Sequence, residues 1–285
     1  MSTISAIRTN RDMEVAVGRI AQDLLNTSPL DRGGAHAQKT SDPEMFAYEL
    51  YHVSQYFEVP VHSSAWQSMI LPNLPWAEDH FQERISGEPL NPPPSEAYWP
   101  FAQQGNAVHK EGEKFSHTYP ERFWPKRAGI DCTLRVCTNP SHKWGHHGIR
   151  FRYGDLQDLI DVLKADPMSR QAYLPVWFPE DLTAAAEGKR VPCTLGYHFM
   201  MDRSNKLRTL YPMRSCDLVR FYRDDVYMAG RLAQHVAQLV GVEPGEMTIV
   251  IANLHAFQGD KVLLQRFAAN ANYDPRASFN LDALS

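Results

Sequence analysis

The segment Lys206-Leu-Arg-Thr-Leu-Tyr-Pro-Met-Arg-Ser-Cys-Asp217 joins an alternating apolar run to the densest polar cluster of the chain. The alternation over Lys206 to Met213 predicts a β-strand, and the cluster follows at its end. Arg214 offers a planar fork for phosphate or carboxylate, and Ser215 adds a short donor. Taken alone, this pattern is more typical of a solvated Arg214–Asp217 pair at a strand end than of a site.

A cysteine that follows a proline precedes this segment. Pro192-Cys193-Thr194 begins a second predicted strand, Thr194 to Met201, which the turn Asp202-Arg-Ser-Asn205 joins to the first. A buried free cysteine is most often a small apolar filler. Cations such as Arg214 and Arg170 would stabilise a thiolate if the fold brings them close. We therefore expect Cys193 to be a nucleophile.

The rest of the chain alternates between helical and extended patterns. Apolar spacing predicts an amphipathic helix over residues 12–26, and a cap at Ser41-Asp42-Pro43-Glu44 predicts a helix over 41–57 that carries Glu49. Residues 71–112 and 128–153 are predicted to be irregular insertions. Further predictions are a helix over 156–163, a strand over 172–177, a helix over 225–240 closed by Gly241, a turn over 243–246 and a strand over 247–252. No repeat or composition break divides the chain, which favours one α/β domain over residues 1–285.

The composition excludes several classes of protein. With 43% apolar and 22% charged residues, the chain can build a sizeable core. Its formal net charge of −4 argues against a generally basic nucleic-acid binder. No apolar run approaches the ~20 residues that cross a bilayer, and the N-terminus lacks the apolar stretch of a signal peptide. We expect a cytoplasmic protein with neither membrane nor nucleic-acid partners.

Five short motifs follow one another in the C-terminal half of the chain. They are Pro192-Cys193, Arg214-Ser215-Cys216-Asp217, Asp225, Pro244-Gly245-Glu246 and Asn253-Leu254-His255. In this order they resemble the motifs of the thymidylate synthase superfamily, and the resemblance is best over residues 168–260. It implies an α/β (α+β) fold with a large, mixed, twisted β-sheet covered by helices, and a homodimer that forms through the sheet.

The resemblance also implies a role for each motif. In the family, the proline–cysteine pair carries the nucleophile, the arginine–serine–x–aspartate motif grips the nucleotide phosphate and positions the base, and the downstream histidine contacts the sugar. The implied substrates are a pyrimidine nucleoside monophosphate and 5,10-methylenetetrahydrofolate, with no metal. The implied catalytic residues are Cys193, Glu49 and Asp225; the substrate-binding residues are Arg214, Ser215, Asp217, His255, Tyr119, Arg11 and, shared across the dimer interface, Arg170; the folate-binding residues are Trp99, Asp217 and Phe221.

Asp225 distinguishes cytosine from uracil as the expected base. The family's uracil-specific synthases carry an asparagine here, whose amide donates to the uracil carbonyl and accepts from the ring N–H. Cytosine presents an exocyclic amine and an unprotonated ring nitrogen, so a carboxyl accepts from the first and shares a proton with the second. Together with Thr194 in place of a histidine, Asp225 makes the chain similar to the phage deoxycytidylate hydroxymethylases.

The mechanism that the resemblance implies begins at the cysteine. The Cys193 thiolate adds to carbon 6 of cytosine while Asp225 stabilises the protonated ring, and carbon 5 becomes nucleophilic. Carbon 5 captures the one-carbon unit, Glu49 organises water and proton transfer, and water completes 5-hydroxymethylcytidylate. Loss of Cys193 regenerates the ring.

Three residues depart from the family's pattern. Gln171 follows Arg170 where the family has a second arginine, so Arg11 is expected to supplement the phosphate contacts. Phe221 stands where a glycine normally borders the folate. Phe257 replaces a tyrosine that would bond a sugar hydroxyl, which leaves both dCMP and CMP open as substrates.

The insertion over 128–153 contains a group of soft metal ligands. These are Cys132, Cys137, His142, His146 and His147. Their spacing loosely suits zinc, but no paired C-x-x-C motif is present. Surface histidines on a variable loop are the favoured interpretation.

Two other functions stay open at the level of the sequence. A (d)CMP methylase of the same fold would use folate hydride in place of water, and the tail over 275–284 resembles the closing C-terminus of synthases. A non-catalytic nucleotide- or RNA-binding homologue is the alternative from a different class. Phe221, Gln171 and the two insertions motivate it.

Overall fold

A computed structural model of the chain describes residues 6–9, 13–31, 42–100, 110–128 and 154–270. The strands are β1 (Ala6–Thr9), β2 (Ala47–Glu58), β3 (Lys110–Glu111), β4 (Lys114–Phe115), β5 (Tyr173–Pro175), β6 (Gly196–Met201), β7 (Lys206–Met213), β8 (Cys216–Asp217) and β9 (Glu243–Phe257). The α-helices are α1 (Met13–Leu25), α2 (Ser63–Ile70), α3 (Trp76–Ile85), α4 (Tyr119–Phe123), α5 (Leu156–Ala165), α6 (Glu180–Ala186), α7 (Tyr222–Val240) and α8 (Lys261–Ala269). Short 3-10 turns cover Pro43–Met45, Pro94–Tyr98 and Gln258–Asp260.

A mixed, twisted sheet of seven strands forms the centre of the described ranges, in the order β1-β2-β9-β7-β6-β5, with β8 also paired to β9. β9 runs antiparallel to β2 but parallel to β7 and β8. Because β7, β8 and β9 point the same way, their carboxyl ends meet at one end of the sheet, where Arg214 and His255 lie. The predicted mixed α/β fold class is confirmed.

The two faces of the sheet differ in burial. On β7, Leu207, Thr209, Tyr211 and Met213 alternate toward a packed interior, as the predicted strand requires. The intervening residue Leu210 points to the opposite face and is 39% exposed. The sheet therefore has one face packed under helices and one that the described part of the chain leaves accessible.

Helix α7 packs closely against α2. The indole of Trp66 donates from Nε1 to the Tyr227 carbonyl at 2.9 Å. A Cβ on Gly230 would lie 2.2 Å from the Trp66 ring, so only glycine permits this approach. The predicted helix over 225–240 is confirmed, with its start at Tyr222 and its end at Gly241, whose φ of 82° suits a left-handed C-cap.

The predicted helix over 41–57 is wrong. Asp42 caps a single 3-10 turn, in which its carboxylate accepts from the Glu44 amide at 2.9 Å, and β2 follows. Aromatic and β-branched residues are common over this stretch, and they favour a strand. Glu49 therefore lies on the sheet, in register with His255 of β9.

Two further predictions need correction. The stretch over 71–112 is not irregular throughout, because it contains α3, which packs on α7 through bonds from Arg231 Nε and Nη2 to the Glu78 carboxylate, both at 2.9 Å. The surrounding prolines and asparagines concealed this helix. The predicted turn over 243–246 is the start of β9, where Val59 donates from its amide to the Gly245 carbonyl at 3.2 Å.

Several predictions fall outside the described residues. They concern Arg11, the insertion residues Cys132, Cys137, His142, His146 and His147, and the tail over 275–284. In the ranges that are described, no three His, Cys, Asp or Glu side chains are grouped to hold a metal ion. None of the helices in those ranges is both long enough and apolar enough to span a bilayer. The single-domain organisation over residues 1–285 stays a prediction.

Candidate active site

Cys193 and Arg214 lie side by side where the segment before β6 crosses the end of β7. The Arg214 amide donates to the Cys193 carbonyl at 2.8 Å. Its guanidinium donates from Nε to the Pro192 carbonyl at 2.8 Å and from Nη2 to the Val191 carbonyl at 2.9 Å. Nη2 also lies 3.7 Å from the Cys193 sulfur. The arginine therefore holds the cysteine segment in place and sets a cation against the thiol.

The electrostatic surroundings of Cys193 combine opposed effects. Burial raises the pKa of the Cys193 thiol above its ordinary value, Arg214 and Arg190 oppose this rise, and Asp225 and Asp217 add to it. The thiol is therefore the resting form at neutral pH. The two arginines favour the thiolate, which is the nucleophilic form.

The second cation that acts on the sulfur is Arg190, which reasoning from the sequence missed. Its position in Lys189-Arg190-Val191-Pro192-Cys193 was an available signal. Arg170, by contrast, is exposed in the segment before β5, and only its backbone carbonyl bonds to a side chain in the described ranges, accepting from His198 Nε2 at 3.0 Å. Within one chain the structure does not bring Arg170 to Cys193.

Asp225 lies in the first turn of α7 as a buried carboxyl. Burial raises the pKa of Asp225 to about 7; Arg84 acts to lower it, and Asp224 acts to raise it. The Cys216 thiol donates to Asp225 Oδ2 at 3.8 Å. A carboxyl with this pKa is half protonated near neutral pH, so it can share a proton with a ring nitrogen.

The neighbouring Asp224 has a structural task. Its Oδ1 accepts from the Asn73 amide and its Oδ2 accepts from Asn73 Nδ2, both at 2.8 Å. Asn73 lies in the linker between α2 and α3. The pair therefore ties the first turn of α7, and with it Asp225, to that linker.

A chain of buried hydroxyls runs beside the cysteine. Tyr119 OH lies 3.1 Å from Thr194 Oγ1, which lies 2.9 Å from Tyr211 OH. The Arg84 guanidinium covers the Tyr119 ring, with 4.0 Å from Cζ to the ring centroid. Arg84 is 3% exposed, and its Nε has no hydrogen-bond partner in the described ranges. The sequence pattern gave no signal for this buried cation.

Asp217 shapes the turn that follows β8. Its Oδ1 accepts from the amides of Val219 and Arg220 at 2.8 and 3.1 Å, and its Oδ2 accepts from Arg220 Nη1 at 2.8 Å. The carboxylate is buried. A ligand that binds Asp217 therefore shares it with Arg220.

Ser215, His255 and Glu49 lie together at the same end of the sheet. Ser215 Oγ lies 3.3 Å from His255 Nδ1, and Glu49 faces His255 across the β2–β9 pair, on the same face of the sheet. Tyr51 OH donates to Glu49 Oε2 at 2.5 Å. Phe257 meets the His255 ring edge to face at 5.3 Å. This hydroxyl, imidazole and carboxyl can bind the hydroxyl groups of a sugar.

Trp99 and Phe221 line an aromatic cavity of about 180 Å³. Their rings stack at 5.5 Å and 17°, and Trp76 and His80 form a second stacked pair at 5.3 Å and 12°. Burial lowers the pKa of His80 to about 4, so this ring is neutral. Arg190 also lines the cavity and connects it to the cysteine segment. These walls fit a planar heteroaromatic ring such as the pterin of a folate.

Comparison with known proteins gives consistent matches. The thymidylate synthase family profile matches residues 136–282. The thymidylate synthase of equine herpesvirus 2 is 33% identical over 164 residues, which cover 53% of this chain and 55% of that protein. The thymidylate synthase of Rhodopseudomonas palustris is 30% identical over 105 residues, with 37% and 34% covered.

A third relative carries a different name. The deoxyuridylate hydroxymethyltransferase of Pseudomonas phage M6 is 31% identical over 119 residues, which cover 40% of this chain and 34% of that protein. The chain spans about half the length of several of the curated relatives it matches, and less of others.

The matched residues 136–282 include the cysteine segment, the polar end of β7, the first turn of α7 and the carboxyl end of β9. Over this stretch lie the Cys193–Arg214 contact, the buried Asp225 and His255. The profile extends over more than half of the chain. The chain therefore belongs to the thymidylate synthase family.

Proposed function

We propose that the protein transfers a one-carbon unit to carbon 5 of a cytidine monophosphate, dCMP or CMP, and produces 5-hydroxymethylcytidylate. The observation that carries this proposal is a pair of groups: a thiol held 3.7 Å from a guanidinium, and a buried, protonatable carboxyl whose charge acts on the same sulfur. Such a pair supplies a nucleophile and a proton partner for a cytosine ring. Membership of the family supports a folate-dependent one-carbon transferase.

Cys193 and Asp225 carry the covalent step of this proposal. The sulfur of Cys193 bonds to carbon 6 of cytosine as the Asp225 proton moves toward ring nitrogen 3, which makes carbon 5 electron-rich. When bound, 5,10-methylenetetrahydrofolate supplies the one-carbon unit at the oxidation level of formaldehyde. Carbon 5 then loses its proton and the Cys193 sulfur leaves. Addition of water at the exocyclic carbon gives the hydroxymethyl group.

Arg214 and Ser215 would hold the phosphate of the nucleotide. Arg214 must turn from the carbonyls of Val191 and Pro192 to do so, and a dianion offers it stronger, charge-assisted hydrogen bonds than two carbonyls. His255 and Glu49 would face the sugar, and the Glu49 carboxylate, oriented by Tyr51, would also hold water near the reacting carbon.

The folate would bind in the aromatic cavity. Trp99 and Phe221 offer a stacking surface, and Asp217 is close in the chain to this wall. Phe221 fills space that the family's usual glycine leaves open, so the ring of the co-substrate would stack on the Phe221 side chain.

A homodimer formed through the sheet is part of the proposal. On the face opposite the packed interior, Tyr173, Met200 and Leu210 are 45%, 37% and 39% exposed. A second copy of the chain would cover this apolar face and bring its exposed Arg170 toward the neighbouring site. We expect Leu210→Glu to convert the dimer to monomers in sedimentation equilibrium, while Lys164→Glu, on the exposed side of α5, leaves it dimeric.

The decisive experiment is an assay with dCMP and CMP in the presence of methylenetetrahydrofolate. We expect a product heavier than the substrate by CH2O. A protein that binds neither nucleotide and releases no tritium from carbon 5 would refute the proposal, because exchange at carbon 5 requires the Cys193 adduct.

Methylation is the second candidate, and the names of two relatives favour it. A methylase adds only CH2 to the substrate, so the same mass measurement separates the two reactions. Access of water to the exocyclic carbon decides between them.

A further inference from the structure

Arg190 occupies a fixed place between the aromatic cavity and the cysteine. It precedes Cys193 by three positions and lines the cavity beside Tyr119. Ser116 Oγ donates to its carbonyl at 3.3 Å, which ties the segment before the cysteine to the segment before α4. The side chain is mostly buried. Arg190 is therefore held near the sulfur and is not a freely solvated surface arginine.

The charges around the sulfur come from several elements. Arg214 at the end of β7 and Arg190 favour the anionic form, while Asp217 of β8 and Asp225 of α7 oppose it. The hydroxyl of Tyr119 and the thiol of Cys216 lie within range of the same sulfur, as neutral groups. His117 faces both arginines, and burial lowers its pKa to about 3, so it adds no charge. Positive charge at the sulfur thus comes from two arginines.

Arg214 cannot serve the sulfur alone throughout the proposed reaction. In the free protein its guanidinium contacts Cys193 Sγ and two backbone carbonyls. Once it binds a phosphate dianion, the two negative charges offset the field of Arg214 at the sulfur. A second cation that does not bind the phosphate then decides whether the thiolate persists.

We propose that Arg190 is this second cation: a positioning residue that keeps Cys193 as a thiolate while Arg214 binds the phosphate. The inference rests on the proposed function only in taking Cys193 as the nucleophile. Arg190 touches neither carbon 5 nor carbon 6 of the base and acts through the sulfur.

The test measures the sulfur directly, in the free full-length protein. Alkylation by iodoacetamide is followed over pH 6 to 10 (an assay range of about four units that brackets the ordinary thiol pKa) by the mass of the Cys193 peptide. We expect Arg190→Gln to move the midpoint of the rate upward by about one unit, which corresponds to a roughly tenfold slower reaction at neutral pH. Arg190→Lys, which retains the charge, should stay close to the wild type.

Lys189→Gln is the matched control, because it removes one positive charge from the adjacent, exposed position. Its midpoint should equal that of the wild type. If Arg190→Gln titrates like Lys189→Gln, the proposal is wrong. Thermal melting checks that each variant is folded, and Arg190→Met, which keeps the aliphatic stem, replaces the glutamine variant if that variant unfolds.

A second measurement examines the step with phosphate present. Saturating dCMP should slow alkylation of the wild type by occupying the site, so the comparison uses inorganic phosphate, which is small enough to leave the sulfur accessible. With phosphate bound, the gap between wild type and Arg190→Gln should widen; a gap that closes would overturn the proposal. The alkylation requires no turnover, so an absence of cytidylate hydroxymethylation would refute the proposed function and leave this result intact.

Discussion

Two buried acids meet at the candidate site, and their surroundings differ. Cys193 has the Arg214 guanidinium at 3.7 Å and Arg190 as a second cation, whereas Asp225 has a neutral thiol at 3.8 Å and a carboxylate, Asp224, beside it. Burial raises the pKa of both groups. Similar burial therefore prepares a nucleophile on one side and a proton carrier on the other, and the neighbouring charges decide which.

Removing the sulfur eliminates one side of this comparison and should have the largest effect. We expect Cys193→Ala to reduce tritium release from carbon 5 of dCMP or CMP by at least about a thousandfold, because no other group can form the bond to carbon 6. Ser204→Ala, on the β6–β7 turn, is the control and should match the wild type. Unchanged exchange in the alanine variant would exclude Cys193 as the nucleophile.

Changing the carboxyl tests the other side. Asp225→Asn replaces a proton-sharing group with an amide that complements uracil, so the ratio of kcat/KM for deoxyuridylate over deoxycytidylate should rise by roughly ten- to a hundredfold. Steady-state kinetics with both nucleotides measures it. Asp161→Asn, an exposed change on α5, should leave the ratio alone. A ratio that does not move would show that Asp225 does not read the base.

The same variant has a consequence for stability against pH. The pKa of Asp225 is about 7 in the folded protein against an ordinary 3.8. Between these values the folded chain holds a proton that the unfolded chain has lost, so this carboxyl destabilises the fold as pH rises through that window. The free energy of unfolding of Asp225→Asn relative to wild type should therefore increase from pH 4 to pH 8, a window of roughly four units, on the order of a few kcal/mol.

Urea denaturation of both proteins across that pH range provides the measurement. A stability difference that stays constant with pH would mean that Asp225 is already ionised in the folded protein. In that case the two buried acids would no longer differ in the way described.

The smallest expected effect concerns a neutral neighbour of the cysteine. Tyr119→Phe removes the bond to Thr194 Oγ1 at 3.1 Å and should lower the free energy of unfolding by about 1 kcal/mol. Because the hydroxyl carries no charge, the pH midpoint of Cys193 alkylation should move little. Tyr98→Phe, at an exposed tyrosine, is the matched control. A large shift of the midpoint would show that the hydroxyl chain, and not the arginines, controls the thiol.

The apposition of Cys193 and Arg214 could be predicted from the sequence. Two strands joined by a short turn bring the residue before one strand to the residue after the other, so the spacing of the motifs implies the contact. The same local logic predicted β6, β7 and α7. Short-range patterns suffice wherever the partners lie on adjacent elements.

Glu49, Arg190 and Arg84 show where such reasoning fails. The cap at Asp42 is real, but it ends after one 3-10 turn, because pairing with β9 stabilises an extended chain more than local propensity stabilises a helix. Arg84 comes from a helix hidden among prolines, and its closeness to Asp225 depends on how α3 packs. Side chains brought together by distant elements leave no periodic signal in the sequence.

The two hydrogen bonds between Asp224 and Asn73 carry a lesson for engineering. Consecutive residues at the start of α7 serve different ends, one as an anchor and the other as the reader of the base. Loosening the anchor would let the reader drift although nothing in the pocket had changed. A library intended to alter nucleotide choice should therefore sample the α2–α3 linker along with the pocket walls.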